Sequence, residues 1–121
     1  MSEHTEQVAL FNWCKIKECR HPQLALIFSI PNGGLRHKAV AIKLQREGVR
    51  AGVPDIFLAC PSPLKDKHGL FIELKYGKNK PTQNQLQWMH KLRTEGYATE
   101  LYYGFEEAKN AIVKYLGLEE E

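Results

Sequence analysis

The sequence predicts a single α/β domain over residues 1–121, with a central mixed β-sheet flanked by helices in the order α-β-α-β-β-α-β-α. Three observations carry that prediction. Segments with helical apolar spacing alternate with short apolar runs of strand character. Gly and Pro clusters such as PNGG, PSP and GKNKP punctuate the boundaries. The chain has 121 residues, 43% hydrophobic and 26% charged, without repeats or low-complexity tracts, which suits one unstapled hydrophobic core.

The first element is a helix from about Glu3 to Cys19. Val8 and Phe11, with Ala9, Trp13 and Ile16, recur at helical spacing, and Pro22 lies just beyond its end. LALIFSI (24–30) is a continuous apolar run ended by PNGG and reads as a buried strand. A second helix is expected over 35–47, with Leu35, Ala39 and Ile42 on one face and Gly48 as its stop. DIFLAC (55–60) and LFIELKY (70–76) read as two strands joined by a polar loop, most simply an antiparallel hairpin. The next helix is expected from Thr82 to about Glu95, with Leu86, Met89 and Leu92 inward. ATELYYG (98–104) is the last strand. FEEAKNAIVKYLG (105–117) closes the chain as a helix with Ala108, Ala111, Ile112 and Tyr115 on one stripe.

Several classes are disfavoured by composition. No stretch approaches the roughly 18 consecutive apolar residues of a membrane span, and MSEHTEQ has no signal-peptide pattern, so a cytoplasmic protein without membrane contact is expected. The three cysteines (Cys14, Cys19, Cys60) form no CxxC pair, and the five histidines are scattered, so neither a disulfide framework nor a zinc site is indicated. Net charge is +3, yet the last three residues, Glu119 to Glu121, are all acidic and are expected to be a solvated tail. Without them, 17 basic against 11 acidic residues leave +6. Residues 35–50 hold Arg36, Lys38, Lys43, Arg46 and Arg50 against a single acid, Glu47, a balance suited to a polyphosphate partner.

Alternation along 70–76 puts Phe71, Glu73 and Lys75 on one face and Leu70, Ile72, Leu74 and Tyr76 on the other. Asp55 lies at the entry to the strand paired with this one, so Asp55 and Glu73 converge within reach of one cation, with Lys75 alongside. Oxygen ligands supplemented by waters suit Mg²⁺ or Mn²⁺. The lysine's work would be to orient an attacking water and to stabilise charge growing on a phosphate oxygen. A surface ion pair would explain an isolated ExK; a PD, an apolar strand, a loop and an apolar-flanked ELK in sequence is a rarer coincidence.

GVPDIFLAC with GLFIELKYGK resembles the PD-(D/E)xK nuclease superfamily. EHTEQVALFNW, PNGGLR, GVRAGVPD, IELK and TQNQLQW followed by EGY together resemble its VRR-NUC branch, over about residues 3–103. The VRA at 49–51 departs from the second arginine that the family name implies. The resemblance implies a restriction-endonuclease-like core in which Asp55, Glu73 and the Leu74 carbonyl bind metal and Lys75 is catalytic. It also implies a first-helix acid, for which Glu6 is preferred and Glu3 is the reserve. Gln85 is expected near the active site by resemblance, and in a capping box of the third helix by the TQNQ pattern. Arg36 is the favoured DNA contact, with Asn32 in the PNGG turn, and Lys38, Lys43, Arg50, Lys78 and Lys80 are candidates for phosphates. Trp13 and Trp88 are expected to pack.

The function so implied is a Mg²⁺- or Mn²⁺-dependent DNA endonuclease acting as a homodimer on branched DNA such as four-way junctions, with no organic cofactor. Three rivals remain. They are a flap- or end-directed nuclease needing a partner, a DNA-binding module without turnover, and an interaction protein whose charges are surface decoration.

Overall fold

A computed structural model describes residues 2–31 and 37–119. The elements are α1 (Glu3–Lys17), a 3-10 turn (Pro22–Leu26), β1 (Ile27–Ser29), α2 (Lys38–Arg46), β2 (Ile56–Leu58), β3 (Leu70–Lys75), α3 (Gln83–Thr94), β4 (Ala98–Tyr103) and α4 (Gly104–Leu116). The strands form one mixed sheet in the order β1-β2-β3-β4, with β1/β2 and β2/β3 antiparallel and β3/β4 parallel. The expected hairpin is β2–β3, in the register Ile56↔Ile72, Phe57↔Phe71 and Leu58↔Leu70. A parallel neighbour cannot follow through a tight turn, and α3 supplies the crossover from β3 to β4.

One sheet face carries the main core. Ile56 and Leu58 from β2 join Leu70, Ile72 and Leu74 from β3 against Leu10 and Cys14 of α1 and Ala108, Ile112 and Leu116 of α4. The α4 residues recur every fourth position and form one stripe along the helix. Tyr115, one residue off that stripe, packs its ring on the core and donates its hydroxyl to the Cys60 carbonyl at 2.8 Å. The opposite face bears aromatics. Phe57 and Phe71 stack with centroids 4.2 Å apart, Phe28 meets Phe57 edge-on, and Tyr97 meets both Phe57 and Phe71 edge-on.

Several expectations shift in the structure. The run 24–30 is divided: Pro22 opens a 3-10 turn that buries Leu24, and extended backbone begins at Ile27. On α1 the buried pair is Leu10 and Cys14, while Val8 is 44% and Ile16 70% exposed. The stripe is rotated because the helix lies across the sheet on its Leu10 side. On α2 no described residue is buried, and Ala39, Val40 and Ile42 face outward. Leu35, expected on the same face, lies outside the described residues. On α3 Met89 is buried and Leu92 partly so, but Leu86 is exposed, because the first turn directs Gln85 toward β3 and Leu86 is rotated about 100° from it. Among the described residues no helix is long and apolar enough to cross a membrane.

Candidate active site

The site is built where β3 outruns β2. Glu73 and Lys75 stand on the same face of β3, with Lys75 Nζ 3.6 Å from Glu73 Oε2 and both side chains largely removed from solvent. Asp55 immediately precedes β2. Its Oδ2 accepts the Leu74 amide at 3.0 Å, and its carbonyl accepts the Ile30 amide at 2.6 Å. This tether closes the end of the hairpin and carries one carboxylate to the other.

The ladder explains the opening. Leu74 would face Pro54 in the next hydrogen-bonded pair beyond Ile56↔Ile72, and proline has no N–H to donate. The pair therefore cannot close with two ladder bonds, and the amide of Leu74 donates to the Asp55 side chain. In a strand, the carbonyl of a residue points to the same side as its amide, so the Leu74 carbonyl lies on this side as well, opposite a residue with no donor.

Electrostatics reflect the crowding. Burial pushes the Glu73 carboxyl up to about 8, aided by the charge of Asp55 and a hydrogen bond with it and opposed by Lys75, with a smaller upward push from Glu3. Glu73 Oε1 is buried with no hydrogen-bond partner. Glu3 is itself raised, first by desolvation, then by Asp55, with Lys75 opposing. The first-helix acid beside this cluster is thus Glu3.

Glu6, the preferred first-helix acid, is committed elsewhere: its Oε1 accepts the Phe105 amide of α4 at 2.9 Å. A helix N-terminus presents unsatisfied N–H groups, and a carboxylate there completes them. Gly104 permits the approach, since at φ 83° a Cβ would lie only 3.0 Å from that oxygen. Ser2 fixes the start of α1 through a reciprocal cap with Thr5, which holds Glu3 in the first turn.

Gln85 fills both expected roles with one amide. Its Oε1 accepts the Thr82 backbone amide at 2.8 Å, and its own N–H donates to Thr82 Oγ1 at 3.1 Å, completing a capping box. Its Nε2 donates to Glu73 Oε2 at 3.2 Å. The amide orientation is fixed chemically: a backbone N–H can meet only the oxygen, so the nitrogen faces the carboxylate.

Comparison with known proteins gives the fold a family. The profile of the VRR-NUC domain matches residues 4–106. The chain belongs to the VRR-NUC domain family. A solved structure described as a VRR_NUC domain protein superposes with a TM-score of 0.82 at 28% identity, covering 98% of this chain and 90% of that one. No curated protein matches. The chain therefore has a nuclease-type fold.

The basic candidates of this VRR-NUC chain are on segments before and after the carboxylates. Lys38 and Lys43 stand on α2, Arg50 on the segment leading to Asp55, and Lys78 and Lys80 on the loop leaving β3, all exposed. Asn32 and Arg36 lie outside the described residues. Supporting residues went unremarked in the sequence. Asn84 Nδ2 donates to the Ala51 carbonyl at 2.8 Å and pins the Asp55 segment to α3; its place beside Gln85 in TQNQ was the available signal. Tyr103, opposite Lys75 in the β3/β4 register, donates its hydroxyl to the Asn79 carbonyl at 2.6 Å and holds the 78–80 loop.

The donor chemistry fits a hard divalent cation. Two carboxylates are adjacent and one of their oxygens is buried without a partner, an arrangement that a cation relieves and a zinc-type sulfur or imidazole set would not resemble. Among the described residues no group of three or more His, Cys, Asp and Glu side chains is arranged to hold a metal ion, so the site offers a carboxylate pair that backbone oxygen and water would complete.

Proposed function

We propose that this protein is a metal-dependent DNA endonuclease that hydrolyses phosphodiester bonds in branched DNA such as four-way junctions, acting as a homodimer in the cytoplasm. The observation that carries the reading is the buried Glu73, its Oε1 without a partner, held against Asp55 with Lys75 at 3.6 Å. A buried carboxylate pair with an orphaned oxygen is costly unless it serves a cation.

In this reading Asp55, Glu73 and the Leu74 carbonyl hold Mg²⁺ or Mn²⁺, and Glu3 stands beside them as a further carboxylate. When bound, the ion withdraws charge from the phosphate and stabilises the pentavalent transition state. Gln85 holds Glu73 Oε2 in place, while Oε1, buried without a partner, is left to serve the ion. Lys75 is kept extended by its partner Glu73 and donates hydrogen bonds to the attacking water and to a non-bridging phosphate oxygen. Water adds to phosphorus as the bond to one sugar oxygen breaks. One fragment keeps the phosphate, and the other leaves as a hydroxyl with a proton from the water.

Dimerisation suits the substrate, since a twofold dimer brings two sites to the two symmetry-related strands of a junction. The outward Val40 and Ile42 of α2 offer apolar surface for such a contact. The test incubates the protein with labelled four-way junction, flap and blunt duplex in Mg²⁺, Mn²⁺ or EDTA, beside Asp55→Ala. Metal-dependent cutting of the junction, lost in the variant, is expected. Preferential cutting of the flap would replace the junction reading, and binding without cutting under every condition would leave a DNA-binding module.

A further inference from the structure

Next to the candidate active site is a cleft of about 470 Å³ between residues 45–51 and α3, with Gln45, Arg50, Ala51, Asn84 and Trp88 among its walls. Its volume lies in the range of small-ligand pockets. Two contacts build it. Asn84 ties the Ala51 carbonyl to α3, and Gly52, at φ 91°, brings the loop so close that a Cβ would stand 2.7 Å from Asn84 Nδ2 and 3.0 Å from Trp88 Cδ1. A side chain there would be strained at this φ and would have to displace the Asn84 amide.

The walls present a half-buried indole, an exposed guanidinium and two side-chain amides. A large flat π surface next to a fixed positive charge matches a nucleobase and the phosphate attached to it, and the amides can meet the hydrogen-bonding edge of the base. Lys38, Lys43 and Arg46 on the adjoining α2 add to the positive surroundings. Both walls run into the catalytic constellation. Ala51 is four residues from Asp55, at most about 14 Å of extended chain. Asn84 precedes Gln85, which donates to Glu73.

We propose that this cleft receives an unpaired nucleobase, stacked on Trp88 with Arg50 at its phosphate, a few nucleotides from the bond that is cut. The inference rests on the DNA reading above and gives that reading a physical basis for choosing branched substrates. A base inside a duplex is paired and stacked, so it must be extruded at a cost to enter such a cleft, whereas branch points supply bases already unpaired or easily unstacked.

The experiment is a titration of the full chain in EDTA with a labelled 12-nucleotide oligo(dT) and, separately, with a blunt duplex, reading label anisotropy and tryptophan fluorescence together. Wild type is compared with Trp88→Phe, which keeps an aromatic face but leaves Trp13 as the sole tryptophan, and with Trp88→Leu, whose fold is checked by circular dichroism. Oligo(dT) is expected to quench wild-type fluorescence as the anisotropy rises. Trp88→Phe is expected to lose the quenching but keep its affinity within about twofold, and Trp88→Leu to bind oligo(dT) roughly tenfold more weakly with duplex affinity unchanged, the scale of one lost base–aromatic stack. Binding of oligo(dT) with no fluorescence change, or with the same change in Trp88→Phe, overturns the inference alone. So does a Trp88 signal that follows protein concentration rather than DNA, which would mean that a second copy fills the cleft. No anisotropy change with any DNA overturns the DNA reading together with the inference.

Discussion

Glu73 holds a carboxyl away from water and against a second acid, so the metal-free fold binds a proton there that the unfolded chain releases. Its ordinary value of 4.5 is raised to about 8 in the fold. Between those values the native state carries more protons than the unfolded one, so stability declines as pH rises. The contribution is complete below about 4.5 and is lost as pH passes through about 8. In EDTA the melting temperature of the wild type relative to Glu73→Gln should therefore fall from pH 5 to pH 8, and Mg²⁺ or Mn²⁺ should reverse that fall by favouring the ionised carboxylate. A difference independent of pH would contradict the crowding. Lys75 is expected to act on rate with little effect on folding. Lys75→Met should slow single-turnover cutting by about 10²–10³, the usual loss for one donor aimed at developing charge, while the melting temperature stays near that of the wild type. The first-helix acid was the residue the sequence left open. Glu3 and Glu6 are both in the first turn of α1, and what separates them is distant in the chain: the N-terminus of α4 takes Glu6 through the Phe105 amide.

Among the elements, α3 couples folding to the site, because one side chain serves both its cap and Glu73. Gln85→Glu separates the two roles. A carboxylate can still accept the Thr82 amide, so the helix keeps its start, but it cannot donate to Glu73 and it adds a like charge there. Cutting should drop more than tenfold with helix content retained, whereas Gln85→Ala should lose both activity and stability; rates set beside melting curves would distinguish the variants. The hairpin, the helix after β3 and the alternation that puts Glu73 beside Lys75 were legible because strand period and turn residues act locally. The missed features were set by packing. Leu10 and Cys14 form the buried pair of α1, although Val8 and Ile16 fit a helical stripe as well, and a thiol that packs as a small hydrophobe is easily overlooked. The apolar residues of α2 likewise suggested an inward face, yet no partner element within the described chain covers them.

Across the whole molecule, the acids of the site converge while exposed bases lie on the segments that lead into and out of it. Asp55 and Glu73 share the open end of the hairpin, while Lys38 and Lys43 on α2, Arg50 before β2 and Lys78 and Lys80 after β3 are exposed on segments adjacent to it in the chain. In the proposed DNA reading, a polyanion would be held by these bases and would meet the carboxylates only where a cation screens them. The sequence showed this as an excess of positive charge in residues 35–50, but it could not show that the 78–80 loop is fixed from the neighbouring strand β4 by the Tyr103 hydroxyl. If the two lysines of that loop each neutralise a phosphate, each releases a counterion, and the slope of log affinity against log salt for duplex DNA carries a contribution of about 0.9 per contact. The double variant Lys78→Ala, Lys80→Ala should therefore flatten that slope by about two in EDTA and weaken binding to all DNA forms alike, because phosphate contacts carry no sequence or branch information. Trp88→Leu should do the reverse, leaving the slope unchanged while reducing the preference for unpaired strands. A double lysine variant with an unchanged slope would mean that the loop faces away from the DNA, and the bases that hold it would then be those of α2 and the Arg50 segment alone.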